Sequence, residues 1–276
     1  MCYYPHVNRI TRLTALKSIG SVLVLPACAG GNSRALRVGS TNSSENVVIA
    51  EIYAGALERS RIPVTRLMGL GDEAAAMTAL KRNEVDIFPA HLQNRSTANG
   101  VAWLIPAPVN DVQCLVTSQY AAEQYWALSL SECAAIAPRL RFAATHEFLT
   151  NGTLDGLRRC YGGFRFRKIA ACEGGEQYDA LNRGDVDVAN GFATDAKIGE
   201  SQLLVLGDDK HFWPRNNVVP VMRAAALQAF PQASRVMNRI SSSLTQYAVQ
   251  QMNAHLALLS LVPSDVADDF LRTHHT

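Results

Sequence analysis

Aromatic residues are scarce in this chain, and so are the arrangements of residues that announce covalent chemistry. Phe, Trp and Tyr together make up 7% of its 276 residues. No Gly-x-Ser-x-Gly elbow, paired carboxylate or Cys/His arrangement accompanies His146-Glu147, which reads as a polar helix start rather than an acid-base pair. The six cysteines form no Cys-x-x-Cys spacing, and of the seven histidines only His274 and His275 are adjacent. These absences predict no catalytic site, no metal site and no cofactor. A basic stripe with interleaved aromatics is also missing, which excludes nucleic acid as a partner. The longest leading apolar run, Ser18 to Ala27, is too short to span a bilayer.

That run has a role of its own. Arg9, Arg12 and Lys17 precede it without an acid, and Leu25-Pro26-Ala27-Cys28 follows the pattern of a lipobox, so residues 1–27 read as an export signal. Cys28 would then carry the lipid, anchoring the mature chain to a membrane in the periplasm or at the cell surface. The whole chain has a net charge of +2, but without the leader 23 basic residues face 24 acidic ones, near −1. Of the remaining cysteines, Cys160 and Cys172 could pair outside the cytoplasm, or Cys114, Cys133, Cys160 and Cys172 could all be small buried hydrophobes.

What the chain has in abundance is apolar residues, 48%, and a phrase it uses twice. Ala79-Leu-Lys-Arg-Asn-Glu-Val-Asp-Ile87 returns as Ala180-Leu-Asn-Arg-Gly-Asp-Val-Asp-Val188. Each copy ends a helix, turns through polar residues and enters an apolar strand carrying one acid. Ahead of the first copy, Leu36–Val38 reads as a strand, and Asn42-Ser43-Ser44-Glu45 resembles a capping box opening an amphipathic helix to about Ser60. Val64–Met68 is a second strand. The middle of the chain repeats the order: strands at Val112–Thr117, Leu140–Ala143 and Phe166–Ile169, and helices after Ser129, over Leu154–Tyr161 and around Glu176–Asn182. Leu203–Leu206 and Val218–Met222 are extended, and Pro231–Leu261 is a helical run. The alternation predicts an α/β fold of two lobes joined by two hinge strands, with the ligand between them. The boundaries place 28–108 and 215–276 in lobe 1, and 109–214 in lobe 2.

Five stretches, "VGSTNSSENVVIAEIYAGALE", "ALKRNEVDIFPA", "WLIPAPVND", "YDALNRGDVDVANGFATDAKI" and "DDKHFWPRNNVVPVMR", resemble the glycine betaine, choline and carnitine binding proteins that deliver osmoprotectants to ABC importers. The resemblance implies the type II periplasmic binding protein fold, a small-molecule solute as ligand and ABC permease subunits as partners. Members of that family hold a quaternary ammonium in a box of tyrosines, each face worth roughly 0.5 to 2 kcal/mol. Here the matching positions differ. His91 stands where a box tyrosine belongs, followed by Gln93 and Asn94; Gln113 replaces a second tyrosine after Asp111; Asn216 and Asn217 follow the Phe-Pro-like step of the second hinge. Phe192 stays aromatic, ahead of Thr194. The family's lysine near the first helix is Thr41, and its carboxylate-clamping arginine is Asn151 or a neighbour. Losing about three aromatic faces costs on the order of a hundredfold in affinity.

The replacement set is polar: Thr41, His91, Gln93, Asn94, Asp111, Gln113, Asn151, Phe192, Thr194, Asn216 and Asn217 make the expected ligand site. Carboxamides both donate and accept, which suits a solute more polar than betaine, with Asp111 as the anion for a cationic one. Asparagines also cap turns, the alternative reading of each taken singly. A second functional class is a non-transport sensor or enzyme on the same scaffold. Gly69-x-Gly71-x-x-Ala74 after a strand imitates a dinucleotide fingerprint, but in a binding protein it aims a helix start at the cleft.

Overall fold

The computed structural model describes residues 35–274 apart from residue 98. The export signal and Cys28 lie outside the described residues. Ten strands are present among them: β1 (Leu36–Gly39), β2 (Val64–Leu67), β3 (Ile87–His91), β4 (Val101–Trp103), β5 (Gln113–Thr117), β6 (Arg141–Thr145), β7 (Lys168–Cys172), β8 (Val188–Phe192), β9 (Leu204–Val205) and β10 (Val218–Arg223). They form two five-stranded sheets, ordered β2-β1-β3-β10-β4 and β7-β6-β8-β5-β9.

The two sheets have one plan. In each, a first strand lies parallel between two others, β1 between β2 and β3 and β6 between β7 and β8. An antiparallel strand, β10 or β5, then flanks the third. The repeated phrase leads into β3 and β8, the middle strands of the two sheets. Its aspartates are buried and lie beneath the neighbouring strand: Asp86 accepts from the backbone N–H, Nε and Nη2 of Arg37, and Asp187 accepts from the same three groups of Arg141. The chain passes from the first sheet to the second between β4 and β5 and returns between β9 and β10. These two crossings touch, through an antiparallel bridge between Asn110 and Asn217.

Burial decides which expectations hold. Helix Ser44–Arg59 is buried on nearly every face, from Val48 to Leu57, because the first sheet and helices Pro231–Ser241, Gln246–Leu258 and Pro263–Thr273 enclose it. It is therefore a core helix, not an amphipathic one. The capping box is not formed there: Ser43 is the N-cap and makes no side-chain cap bond, while Asn42 accepts from Gly71 N instead. At Ser129 the box is complete, with Glu132 reaching back to the Ser129 N–H. The long C-terminal run breaks after Ser241 and restarts at Gln246, where Thr245 caps the new helix by accepting from Ala248 N; Leu244 in the break is fully buried. The strand expected from Phe166 begins at Lys168, and Phe166 instead stacks on Phe142 at 4.4 Å. Cys160 and Cys172 are not joined: all four described cysteines are free thiols, with Cys114 and Cys133 buried. No helix among the described residues is long and apolar enough to cross a membrane.

Candidate functional site

Where the crossings meet, strand ends from both sheets deliver side chains to one place. His91 ends β3 and pairs in register with Val218, and the next N–H, of Leu92, donates to Asn217 O at 2.9 Å. Gln113 opens β5 opposite Phe192, the last residue of β8, and Ala193 N donates to Val112 O. Asn216 Nδ2 donates to Asp111 O at 2.8 Å, and its backbone N–H to Asn110 Oδ1 at 2.7 Å. His91, Asp111, Gln113, Phe192, Thr194 and Asn216 therefore gather at the junction of the sheets.

Glutamates that the sequence analysis did not select complete this arrangement. Glu73 sits in the first turn of helix Glu73–Lys81, placed there by the positive-φ turn at Gly69 and Gly71 and by Asp72, which caps Ala75 N. Its two oxygens hold both nitrogens on one side of His91, accepting from the backbone N–H and meeting ring Nδ1, each at 2.9 Å. Glu45, free of capping duty, accepts from Asn253 Nδ2 at 2.6 Å. Asn253 also donates to Thr194 O, and the Thr194 hydroxyl donates to Asp111 Oδ1 at 2.9 Å. His91 Nε2 stands 4.0 Å from Asp111 Oδ2. One ligand atom from each of Glu45, His91 and Asp111 falls within 4.8 Å of the others.

The electrostatics follow from this crowding. Burial raises the Glu45 carboxyl above its ordinary range, and the nearby Asp111 charge raises it further. Burial alone would lower His91, but the hydrogen bond and charge of Glu73, then the charges of Asp111 and Glu45, outweigh it and raise the imidazole. Among the described residues, no lysine or arginine forms an ion pair with Glu45, Glu73 or Asp111. His91 Nε2 and Asn216 Oδ1 are buried without a hydrogen-bond partner. The junction thus gathers carboxylates and unpartnered polar atoms.

Other expected residues lie differently. Thr41 is buried beside the junction and donates its N–H to Asn46 Oδ1. Asn217 spends its amide on the carbonyls of Ala107, Pro108 and Val109, tying the crossings together. Asn151 is exposed and accepts from Thr153 N, a turn cap. Gln93 and Asn94 are exposed in a short 3-10 turn; Asn94, with Asp72, Glu73 and Ser96, lines a depression of about 450 Å³. A cavity of about 1190 Å³ lies elsewhere, between helices Gln119–Tyr125, Ala196–Glu200 and Gln246–Leu258, and includes Trp126, Tyr247 and Leu259. It receives none of the expected residues. Glu45 was obscured in the sequence by its fit to a capping pattern, and Asn253 carries no local signal because it arrives from a helix far along the chain.

Comparisons with known proteins agree with this architecture. The chain is 27% identical to the glycine-betaine-binding protein of Pseudomonas aeruginosa, over 98% of this chain and 96% of that one. It is 26% identical to the ergothioneine transport permease/ergothioneine binding protein EgtU of Helicobacter pylori, over 86% of this chain but only 47% of that longer protein. In fold it is similar to ligand-free YehZ of Escherichia coli, with a TM-score of 0.79 at 23% identity, covering 87% of this chain and 99% of that one. The two lobes are those of the type II periplasmic binding proteins. Residues 34–273 match the substrate binding domain of the ABC-type glycine betaine transport system, and the chain belongs to that family of extracytoplasmic binding proteins, which are not enzymes.

Proposed function

We infer that this chain is a lipid-anchored solute-binding protein of an ABC importer whose pocket takes a solute more polar than glycine betaine. Residues 1–27 are its export signal and Cys28 its lipid attachment point. The lobes divide at 108/109 and 214/215, and the solute binds where the crossings meet. The relatives above are named for glycine betaine and for ergothioneine, so a small polar solute is the class to begin from.

One observation carries this reading. Glu45, His91, Asp111, Thr194 and Asn216 converge on one recess by hydrogen bonds from elements far apart in sequence. Phe192, 48% exposed, ends β8 opposite Gln113. Such a lining recognises donors and acceptors; a methylated cation that donates no hydrogen bond would leave the buried acceptors unpaired, at about 1–3 kcal/mol each.

Mass spectrometry of small molecules carried through native purification would identify the solute. Calorimetry with that solute then compares the wild-type chain with Phe192→Ala and Gln113→Ala, both expected to bind at least tenfold more weakly. Unchanged affinity in both variants places the site elsewhere, and micromolar affinity for betaine or choline overturns the altered pocket.

A further inference from the structure

Resting on the reading that the solute binds at this junction, we propose that Glu45, His91 and Asp111 form a tripod for a primary ammonium group. One ligand atom from each residue lies within 4.8 Å of the others, and each residue is held by a partner outside the trio. Glu73 accepts from His91 Nδ1, so that in the neutral imidazole Nε2 is the acceptor and stands 4.0 Å from Asp111 Oδ2. Thr194 holds Asp111 Oδ1, and Asn253 holds Glu45 Oε2. His91 Nε2 is buried and unpartnered. Asn216, 8% exposed and bonded to Asp111 O, has a second unpartnered acceptor, Oδ1.

Size separates the cations that such a recess could hold. An ammonium donating three hydrogen bonds of about 2.8 Å in tetrahedral directions needs acceptors about 4.6 Å apart. A divalent metal bound at about 2.1 Å would draw its ligands to about 3.0–3.4 Å of one another. The observed atoms are 4.0 Å apart for His91 Nε2 and Asp111 Oδ2, and all three lie within 4.8 Å. The 4.0 Å pair is wider than the ligands of a bound divalent metal, and a span within 4.8 Å admits an ammonium. A trimethylammonium group has the charge but no N–H, and its methyls keep oxygen beyond hydrogen-bond reach, so it satisfies none of the three acceptors.

Calorimetric titrations with ethanolamine and its N-methyl, N,N-dimethyl and N,N,N-trimethyl (choline) derivatives, with glycine against glycine betaine and with zinc chloride alone, test this on the wild-type chain. The unmethylated amine should bind at least tenfold more tightly than its trimethylated counterpart. Glu45→Gln and Asp111→Asn, each isosteric, should lose at least tenfold of that affinity while melting as the wild type does. Choline or betaine binding as tightly as the primary amine, no binding by either amine, or zinc displacing the amine from the site would overturn the proposal; the wild-type series decides even if a variant fails to fold. Quaternary ligands prevailing, but lost in both variants, would sink the ammonium tripod and leave the junction as the binding site. Amine binding untouched in both variants would sink the junction as well.

Discussion

Arg141 gives Asp187 three hydrogen bonds at once: from its backbone N–H at 2.7 Å, from Nε at 3.0 Å and from Nη2 at 2.7 Å. Arg37 does the same for Asp86 in the other sheet, at 3.1, 3.0 and 3.0 Å, and Arg223 from β10 adds its guanidinium there. The acid of each repeated phrase thus clamps the entry of a central strand to its neighbour and sets the height at which the strand's far end, His91 or Phe192, emerges.

Removing that clamp should cost fold stability. Burial alone would raise the Asp86 carboxyl, but hydrogen bonds from Arg37 and Arg223 and the Arg37 N–H hold it at about 2. Asp86→Asn leaves two guanidinium groups without their anion and should lower unfolding free energy by about 3–5 kcal/mol in urea titrations. Because the folded-state value is depressed from 3.8, the wild-type contribution is complete above that value and is lost as pH falls toward about 2. A urea midpoint flat across that window would contradict the assignment.

Acid should act on the recess in the opposite sense for the empty and the occupied protein. His91 and Glu45 both have raised values in the fold, so they favour the empty folded chain at lower pH, and this stabilisation fades as pH rises through those values. Glu73, Asp111 and Glu45 are the charges facing His91. Binding of a hydrogen-bond-donating cation needs His91 neutral and Glu45 ionised. Affinity should therefore fall from about pH 8 to about pH 5, while the ligand-free melting temperature moves the other way. Calorimetry and thermal melts over the same buffers check both signs.

Gly191 in β8 leaves room that no other residue would. A Cβ built there falls 1.8 Å from the Tyr178 hydroxyl, which donates to Asp195, and Asp195 in turn accepts from Phe192 N. Gly191→Ala should displace Tyr178, release the turn carrying Phe192 and Thr194, and destabilise the chain by about 1–3 kcal/mol. Solute affinity should drop with it. Phe192→Ala, in contrast, should weaken binding without lowering the melting temperature, because that ring is half exposed.

Thiol chemistry should find Cys114, Cys133, Cys160 and Cys172, the four cysteines among the described residues, all free. Under native conditions the half-buried Cys160 and Cys172 should react with a thiol reagent first. Cys133, whose thiol burial pushes up to about 12, and the buried Cys114 should react only after unfolding.

Much of the fold was legible because the chain writes it twice. Residues 79–87 and 180–188 set helix, polar turn and buried strand by local pattern, and the expected polar residues at 91, 111, 113, 194 and 216 lie where the two sheets join. Local pattern could not tell a surface helix from a core helix. Residues 44–59 are apolar enough for either, and three later helices made the choice by enclosing them.

Sequence alone therefore determined the two-sheet α/β plan, since alternation and turn chemistry act between neighbours along the chain. Tertiary structure alone decided the recess. Glu73 reaches His91 across 18 positions and Asn253 reaches Glu45 across 208. Their electrostatic meaning, three carboxylates around one imidazole with no lysine or arginine paired to them among the described residues, exists only once folding has brought them together.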